Sequence, residues 1–206
     1  MEESTYQQFI ELLEHRVKSH TPQESILRAF EDEYGLTELD PLRDEICKCI
    51  FCGLPQAAVT LTNMLLEMAT ISAIEKSKRQ KIEIDETKID NKKYGKSDSK
   101  LGYRIEMLYF GGIITELQRD NLHRCRIWLR NTFSHADLKN VAKEDIPIKC
   151  WDLEKQTTFD SVVNLEILSM LKGIAFHKSA EENYITYFLY VDYIIRALSS
   201  KLTPSK

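Results

Sequence analysis

Glycine and proline are scarce in this chain, and most of them stand where a helical pattern of apolar residues ends. The 206 residues include 7 Gly and 5 Pro, whereas average usage would give about 14 Gly and about 10 Pro. So few turn-forming residues disfavour a sandwich or barrel of many short strands, and no GxGxxG or GxxxxGKS/T phosphate loop is present. Gly35, Gly53 and the Gly111–Gly112 pair separate apolar segments of helical spacing. The sequence therefore predicts an all-α helical bundle.

The order of the helical segments predicts three parts. Residues 1–40 form an acidic N-terminal helical extension, residues 41–140 form the core, and residues 141–206 form a C-terminal extension that packs on the core. Two β-type features are also expected, a KIEI strand at 81–84 and a small hairpin of IPIKCW and QTTFD between 146 and 160. Helices are predicted over about 5–20, 22–34, 41–52, 55–78, 97 or 99–110, 161–176 and 182–200, and another begins at Thr115 and carries LHRCRIWLRNTFSHA.

The net charge of −4 averages an acidic N-terminal segment and a basic central segment. Residues 1–45 hold 12 Asp/Glu against 4 Lys/Arg, a net of −8, whereas residues 76–100 hold 9 Lys/Arg against 5 Asp/Glu, a net of +4. The basic segment is predicted to be a loop and leaves room for an RNA-binding face on an acidic protein. The chain has five cysteines, shows no signal-peptide pattern and carries several polar residues within 54–74. These features predict a soluble cytoplasmic protein.

Arg130, Asn131 and His135 form the most informative pattern, in the segment RNTFSH. Apolar residues around it follow helical spacing, so Asn131 and His135 are expected one turn apart on one helix face. The long Arg130 side chain can swing toward the same volume. An imidazole that titrates near neutrality can move a ribose 2′-hydroxyl proton, and a guanidinium can stabilise charge on phosphate oxygens. The three groups together suit RNA cleavage without a metal ion.

Glu67 is a further candidate, because it is the one charged residue between Leu54 and Ile74. A lone carboxylate beside an apolar face needs a cation, and Arg130 is the natural partner if the two helices pack as in the helical family that RNTFSH resembles. Glu67 would then orient Arg130 or tune His135. The alternative is a half-exposed glutamate that pairs with a surface lysine.

RNTFSH resembles the Arg–polar–x3–His signature of the HEPN superfamily, the higher eukaryote and prokaryote nucleotide-binding helical domains. GLPQAAVTLTNMLLEMA (53–69) and SKLGYRIEMLYFGGII (99–114) are similar to the segments that precede this signature, and the resemblance covers roughly residues 45–140. It implies a metal-independent endoribonuclease that acts as a homodimer with a composite active site, often as a toxin or phage-defence effector. By this resemblance Arg130 binds phosphate, Asn131 is its polar neighbour and His135 is the catalytic acid or base.

Basic residues near this segment are candidate contacts to the RNA backbone, or else an ordinary solvated face. The run Cys47, Cys49 and Cys52 lacks a second ligand cluster, so buried apolar cysteines are expected, with no metal and no cofactor. The candidate RNA contacts are Arg119, His123, Arg124 and Arg126 on the motif helix, and Lys92 and Lys93 in the basic loop.

Two other functions are open to this sequence. The RNxxxH ending is also similar to mannitol-operon-repressor-like helical proteins, which implies a non-catalytic regulatory or interaction module. That alternative predicts that Arg130 and His135 face away from any cleft and that Arg130 forms a buried ion pair. The other is a nucleotide-sensing module that binds without cleaving. For the nuclease, an antitoxin or activating partner is expected beside the RNA substrate.

Overall fold

The computed structural model describes residues 38–94, 100–135, 146–152, 157–163 and 172–202, together with Glu11 and Tyr34. The two helices predicted N-terminal to residue 35 lie outside this set, apart from those two residues. The described elements are α1 (Asp40–Phe51), α2 (Pro55–Arg79), a 3₁₀ turn (Glu86–Lys88), α3 (Asn91–Tyr94), α4 (Leu101–Phe110), α5 (Glu116–Cys125), a π-helical turn (Arg126–Arg130), α6 (Asn131–His135), β1 (Ile146–Asp152), β2 (Thr157–Val163) and α7 (Lys172–Leu202).

The fold is all-α apart from one small hairpin, and α2 lies at its centre. α2 packs most extensively against α7, and α1 and α4 also pack on it. Fully buried side chains from these four helices form one hydrophobic core, so α7 shares its core with the helices of the 41–140 region. They include Ile46 of α1, Val59, Leu65 and Leu66 of α2, Ile105 and Leu108 of α4, and Phe188, Val191 and Ile195 of α7.

The local sequence explains where the helices begin. Pro41 and Pro55 lie in the first turns of α1 and α2, where a missing N–H costs no helical hydrogen bond. Gly53 between them adopts a φ of +62°, which glycine accepts because it has no Cβ. Thr115 begins α5 with a capping box: its hydroxyl accepts from the Gln118 backbone N–H, and the Gln118 side chain accepts from the Thr115 N–H.

The helix that carries RNTFSH is irregular, although the sequence predicts an uninterrupted α-helix. Arg126–Arg130 form a π-helical turn between α5 and α6. A π turn accommodates one more residue than an α turn and changes the angular positions of the side chains that follow, and such turns often occur at functional sites. The direction of Arg130, the last residue of this turn, therefore does not follow from α-helical spacing.

The predicted hairpin is confirmed, since β1 and β2 pair antiparallel with Cys150 opposite Phe159. The predicted KIEI strand is wrong. Residues 82–85 belong to no helix or strand, and Ile82 and Ile84 pack against the helical core instead of pairing with a strand. Apolar and charged residues alternate in this segment because every second side chain packs against the helices.

The two predicted C-terminal helices are also wrong in their bounds. Residues 161–163 belong to β2, and α7 continues from Lys172 to Leu202 without a break. Its polar stretch carries exposed side chains at Glu181 and Glu182 but no helix-breaking residue, so the helix extends through it. The predicted start of α4 at Ser97 or Ser99 lies outside the described residues; the helix begins at Leu101, with Lys100 as its N-cap.

α2 is the one helix in the described ranges that is long and apolar enough to cross a membrane by length and composition. Within this structure, however, 56% of its most apolar stretch is buried. It packs against α1, α4 and α7. Its apolar character therefore fits a helix at the centre of the bundle, which α1, α4 and α7 cover.

Candidate active site

Glu67 of α2 joins two arginines that come from different helices. Its Oε1 accepts a hydrogen bond from Arg130 Nε at 3.1 Å, and its Oε2 accepts one from Arg104 Nη2. The structure thus contains the Glu67–Arg130 pair that the sequence predicts. About a quarter of the Glu67 and Arg130 side chains is exposed, 26% and 27%. The non-catalytic alternative predicts a buried Arg130 pair, and the observed pair is partly buried.

Arg104 of α4 is the site residue that the sequence reasoning missed. Its side chain is only 3% exposed, and its Nε donates to Thr70 Oγ1 at 3.0 Å. A buried guanidinium is tolerated where a counter-charge and hydrogen bonds compensate for lost water, and α2 supplies both through Glu67 and Thr70. One signal could have identified it: Arg104 is the only basic residue in the apolar segment LGYRIEMLYF.

Asn131 lies directly beside Arg130, as the motif requires. Its Oδ1 accepts a hydrogen bond from Arg130 Nη1 at 3.1 Å. Arg130 is therefore held on two sides, by a carboxylate from α2 and by the amide of the next residue. His135 ends α6, one helical turn after Asn131. Its side chain lies outside the described part of the structure.

A buried polar layer lies under these groups. The Tyr187 hydroxyl of α7 donates to Asn63 Oδ1 of α2 at 2.7 Å, and both residues are buried. Burial raises the pKa of the Tyr187 phenol well above its ordinary value, so the group stays a neutral donor. In the described structure, Asn63 Nδ2 and Thr132 Oγ1 are buried without a hydrogen-bond partner. Such incomplete satisfaction is unusual in a core.

Five of the six predicted RNA contacts line one cleft of about 400 Å³. Arg119, His123, Arg124 and Arg126 reach it from the motif helix, and Lys93 reaches it from α3. Arg119 is already engaged by Asp120, with its Nη2 at 2.8 Å from Oδ1. The sixth residue, Lys92, is exposed and is not among the residues that line this cleft.

His123 sits in the wall of this cleft, paired with a carboxylate and stacked on a ring. Its Nε2 lies 2.7 Å from Glu106 Oε1, and its imidazole stacks on Tyr94 with centroids 4.9 Å apart at 22°. Glu106 is 7% exposed, so the pair is largely buried. Glu106 and Tyr94 were not predicted as site residues, because their contacts to His123 depend on how α3, α4 and α5 pack.

Acidification is expected to destabilise the protein through His123. Burial lowers its pKa below the ordinary value of 6.5, against the opposite effect of Glu106, while Arg126 and Lys93 also lower it. The folded protein therefore binds fewer protons than the unfolded chain, so this contribution is complete above pH 6.5 and is lost as pH falls below it. Urea unfolding between about pH 7 and about pH 5.5 measures the loss.

His123→Gln should flatten this pH dependence, because glutamine does not titrate. His177→Gln is the matched control, since His177 is 55% exposed and lies outside the cleft. Equal slopes of unfolding free energy against pH in the wild type and His123→Gln would refute the assignment to His123.

The cysteine run is only partly buried. Cys47 is buried, which raises the pKa of its thiol to about 12, whereas Cys49 and Cys52 are only partly buried. The expectation of buried apolar cysteines therefore holds for Cys47 alone. No group of three His, Cys, Asp or Glu side chains within the described ranges is placed to hold a metal ion.

The Glu67, Arg130 and Asn131 arrangement can present an oriented guanidinium at the surface of the bundle. A guanidinium held in this way can bind phosphate oxygens without reorganising first. Comparison with models of protein families, with curated proteins and with solved structures gives no match for this chain.

Proposed function

We propose that the chain is a metal-independent endoribonuclease of the HEPN type. The observation that carries the proposal is the Glu67–Arg130–Asn131 arrangement, in which α2 and the residue after Arg130 both hold its guanidinium. This supports a phosphate-binding role for Arg130, because preorganised charge stabilises the developing charge of a phosphoryl transition state. The motif resemblance supplies the reaction class and the role of His135.

The proposed reaction is a transfer within the RNA strand. His135 takes the proton of a ribose 2′-hydroxyl, and the 2′-oxygen forms a bond to the adjacent phosphorus. The bond from phosphorus to the 5′-oxygen breaks, and an acid returns a proton to that leaving oxygen. The products are a 2′,3′-cyclic phosphate and a 5′-hydroxyl, so no oxidant, metal or added water enters the step. Arg130 stabilises the phosphate oxygens throughout.

A homodimer with a composite site is part of the proposal. Large apolar side chains are exposed on α2 beside Glu67, at Met64, Met68 and Ile71, and Trp128 of the π turn is 50% exposed. Exposed apolar residues clustered next to a charged site are typical of an interaction surface. In such a dimer, one His135 would serve as the base and the partner's copy as the acid. A cytoplasmic toxin or phage-defence role, with an antitoxin or activating partner, belongs to the same proposal.

Incubation of purified protein with RNA in the presence of EDTA tests the proposal. Wild-type protein should cleave the RNA, and His135→Ala should not. His177→Ala is the matched control, since it removes an exposed histidine from α7 and should cleave like the wild type. If wild type and His135→Ala leave RNA equally intact, including during expression in cells where toxicity reports activity, the nuclease is excluded and the regulatory module is favoured.

A further inference from the structure

A second cluster of functional groups lies in a cleft whose lining does not include Arg130. It is bounded by α3, α4, α5 and the π turn, and has a volume of about 400 Å³. That size suits a nucleotide-sized ligand, since ligand sites commonly measure about 300–1,000 Å³. The residues that matter most are Lys93, Tyr94, His123, Arg124 and Arg126.

The lining of the cleft holds more basic than acidic side chains: Lys93, Arg119, Arg124 and Arg126 against Glu106 and Asp120. Among the described residues, no ion pair joins a carboxylate to Lys93, Arg124 or Arg126, although Tyr94 and, from further away, Glu106 and Asp90 raise the pKa of Lys93. The carboxylates at the cleft are already engaged, because Glu106 binds His123 and Asp120 binds Arg119. Three cations around one concave surface repel each other, and an anion between them would relieve that repulsion.

Two nitrogen atoms at the cleft are buried without hydrogen-bond partners among the described residues. They are Arg126 Nε and His123 Nδ1. Burial also lowers the pKa of the Arg126 guanidinium, with Arg130 nearby acting in the same direction. A half-buried guanidinium beside another guanidinium is costly unless a ligand offsets its charge.

The basic groups of the cleft lie around the aromatic ring of Tyr94. Arg126 Cζ lies 6.0 Å and Lys93 Nζ lies 5.0 Å from the Tyr94 centroid, and His123 stacks on the same ring. Gly102 of α4 allows this close arrangement. A Cβ there would lie 3.2 Å from Tyr94 Cδ1, so Tyr94 would have to shift by a few tenths of an ångström, and 3.4 Å from Arg126 Cζ, the edge of ordinary contact. Proteins that bind single-stranded nucleic acids combine a positively charged groove with aromatic side chains.

We propose that this cleft binds a phosphate group of a nucleotide, either within an RNA strand or in a free nucleotide. Lys93, Arg124 and Arg126 neutralise the phosphate, while Tyr94 and His123 hold the cations in place. The RNA form of this inference rests on the proposed nuclease function, with the cleft binding a phosphate away from the cleaved one. The free-nucleotide form stands without it.

Binding of a short fluorescent 2′-O-methyl oligonucleotide tests the RNA form, because this probe has no free 2′-hydroxyl and survives a nuclease. Lys93→Gln and Arg124→Gln should each weaken its binding about three- to tenfold and lower the salt dependence by about one counterion. Both residues are exposed, so these changes leave the core intact. Titration with AMP and with inorganic phosphate, by displacement of the probe and by calorimetry, tests the free-nucleotide form.

Lys48→Gln and Arg79→Gln are matched controls, since both residues are exposed and neither lines the cleft. Equal weakening by all four variants would show diffuse surface charge and overturn the inference, as would wild-type protein that binds neither probe nor AMP nor phosphate. Displacement of the probe by AMP supports a nucleotide site, and binding of the probe alone supports an RNA site.

The two proposals fail separately. If binding depends on Lys93 and Arg124 but no RNA is cleaved, the proposed phosphate site stands and the nuclease proposal is rejected. If cleavage depends on His135 while binding is unchanged in Lys93→Gln and Arg124→Gln, the nuclease proposal stands and the proposed phosphate site in the cleft is rejected.

Discussion

Glu67→Gln is expected to lower the free energy of unfolding by about 3 kcal/mol, the low end of the cost of breaking a buried ion pair. The substitution preserves side-chain shape but removes the negative charge that Glu67 presents to Arg104, which is 3% exposed. It also leaves one acceptor oxygen where Glu67 offers two, so Arg130 and Arg104 can no longer both be paired as they are. The low end applies because Glu67 itself is 26% exposed, so water can approach the unpaired group. Urea denaturation monitored by circular dichroism measures the change.

Glu75→Gln provides the matched control. Glu75 lies two turns further along α2 and is exposed, so the same chemical change there should alter the unfolding free energy by less than about 0.5 kcal/mol. Adding Arg104→Met to Glu67→Gln should recover part of the lost stability, because methionine needs no counter-charge. A Glu67→Gln protein as stable as Glu75→Gln would show that the network around Glu67 contributes nothing to the fold.

Arg130→Gln is expected to reduce RNA cleavage by at least about 100-fold, the usual effect of removing one charged donor to a transition-state oxygen. The cost in stability should stay below about 1 kcal/mol, because the Glu67–Arg130 pair is a quarter exposed and Glu67 keeps Arg104. Single-turnover cleavage rates and urea denaturation of the same preparations separate the two effects.

Arg79→Gln, an exposed arginine at the end of α2, should cleave RNA at the wild-type rate. Arg130→Lys should retain an intermediate rate, since lysine keeps the charge but not the two-pronged hydrogen bonding of arginine. Unchanged cleavage by Arg130→Gln would remove Arg130 from the site and leave it a structural partner of Glu67.

The need of Glu67 for a cation could be predicted because its cause is local: a single carboxylate in an otherwise uncharged helical segment must find a positive charge. The choice of Arg130 as that cation depends on the helix packing that the HEPN resemblance implies. The capping box at Thr115 and Gln118 could be read from spacing, since its cause is also local. The second arginine could not be assigned, because only the packing of α4 on α2 decides that Arg104 takes the other oxygen of Glu67.

Three features depend on the whole fold and leave little trace in the sequence. The π turn at Arg126–Arg130 contains no unusual residue type that distinguishes it from α-helix. The continuity of α7 is stabilised by packing against α2, which overrides its polar middle stretch. The Tyr94–His123 stack brings together residues from α3 and α5 across a segment that the sequence describes only as a basic loop.

Cleavage of a single-stranded RNA oligonucleotide in EDTA, followed by identification of the new ends, decides whether this chain is a ribonuclease of the proposed type. Wild-type protein is expected to produce 2′,3′-cyclic phosphate and 5′-hydroxyl ends and to leave DNA of the same sequence intact, because DNA lacks the attacking 2′-hydroxyl. His135→Ala should produce no new ends. Intact RNA with wild-type protein, or cleavage of the DNA at the same rate, would contradict the mechanism.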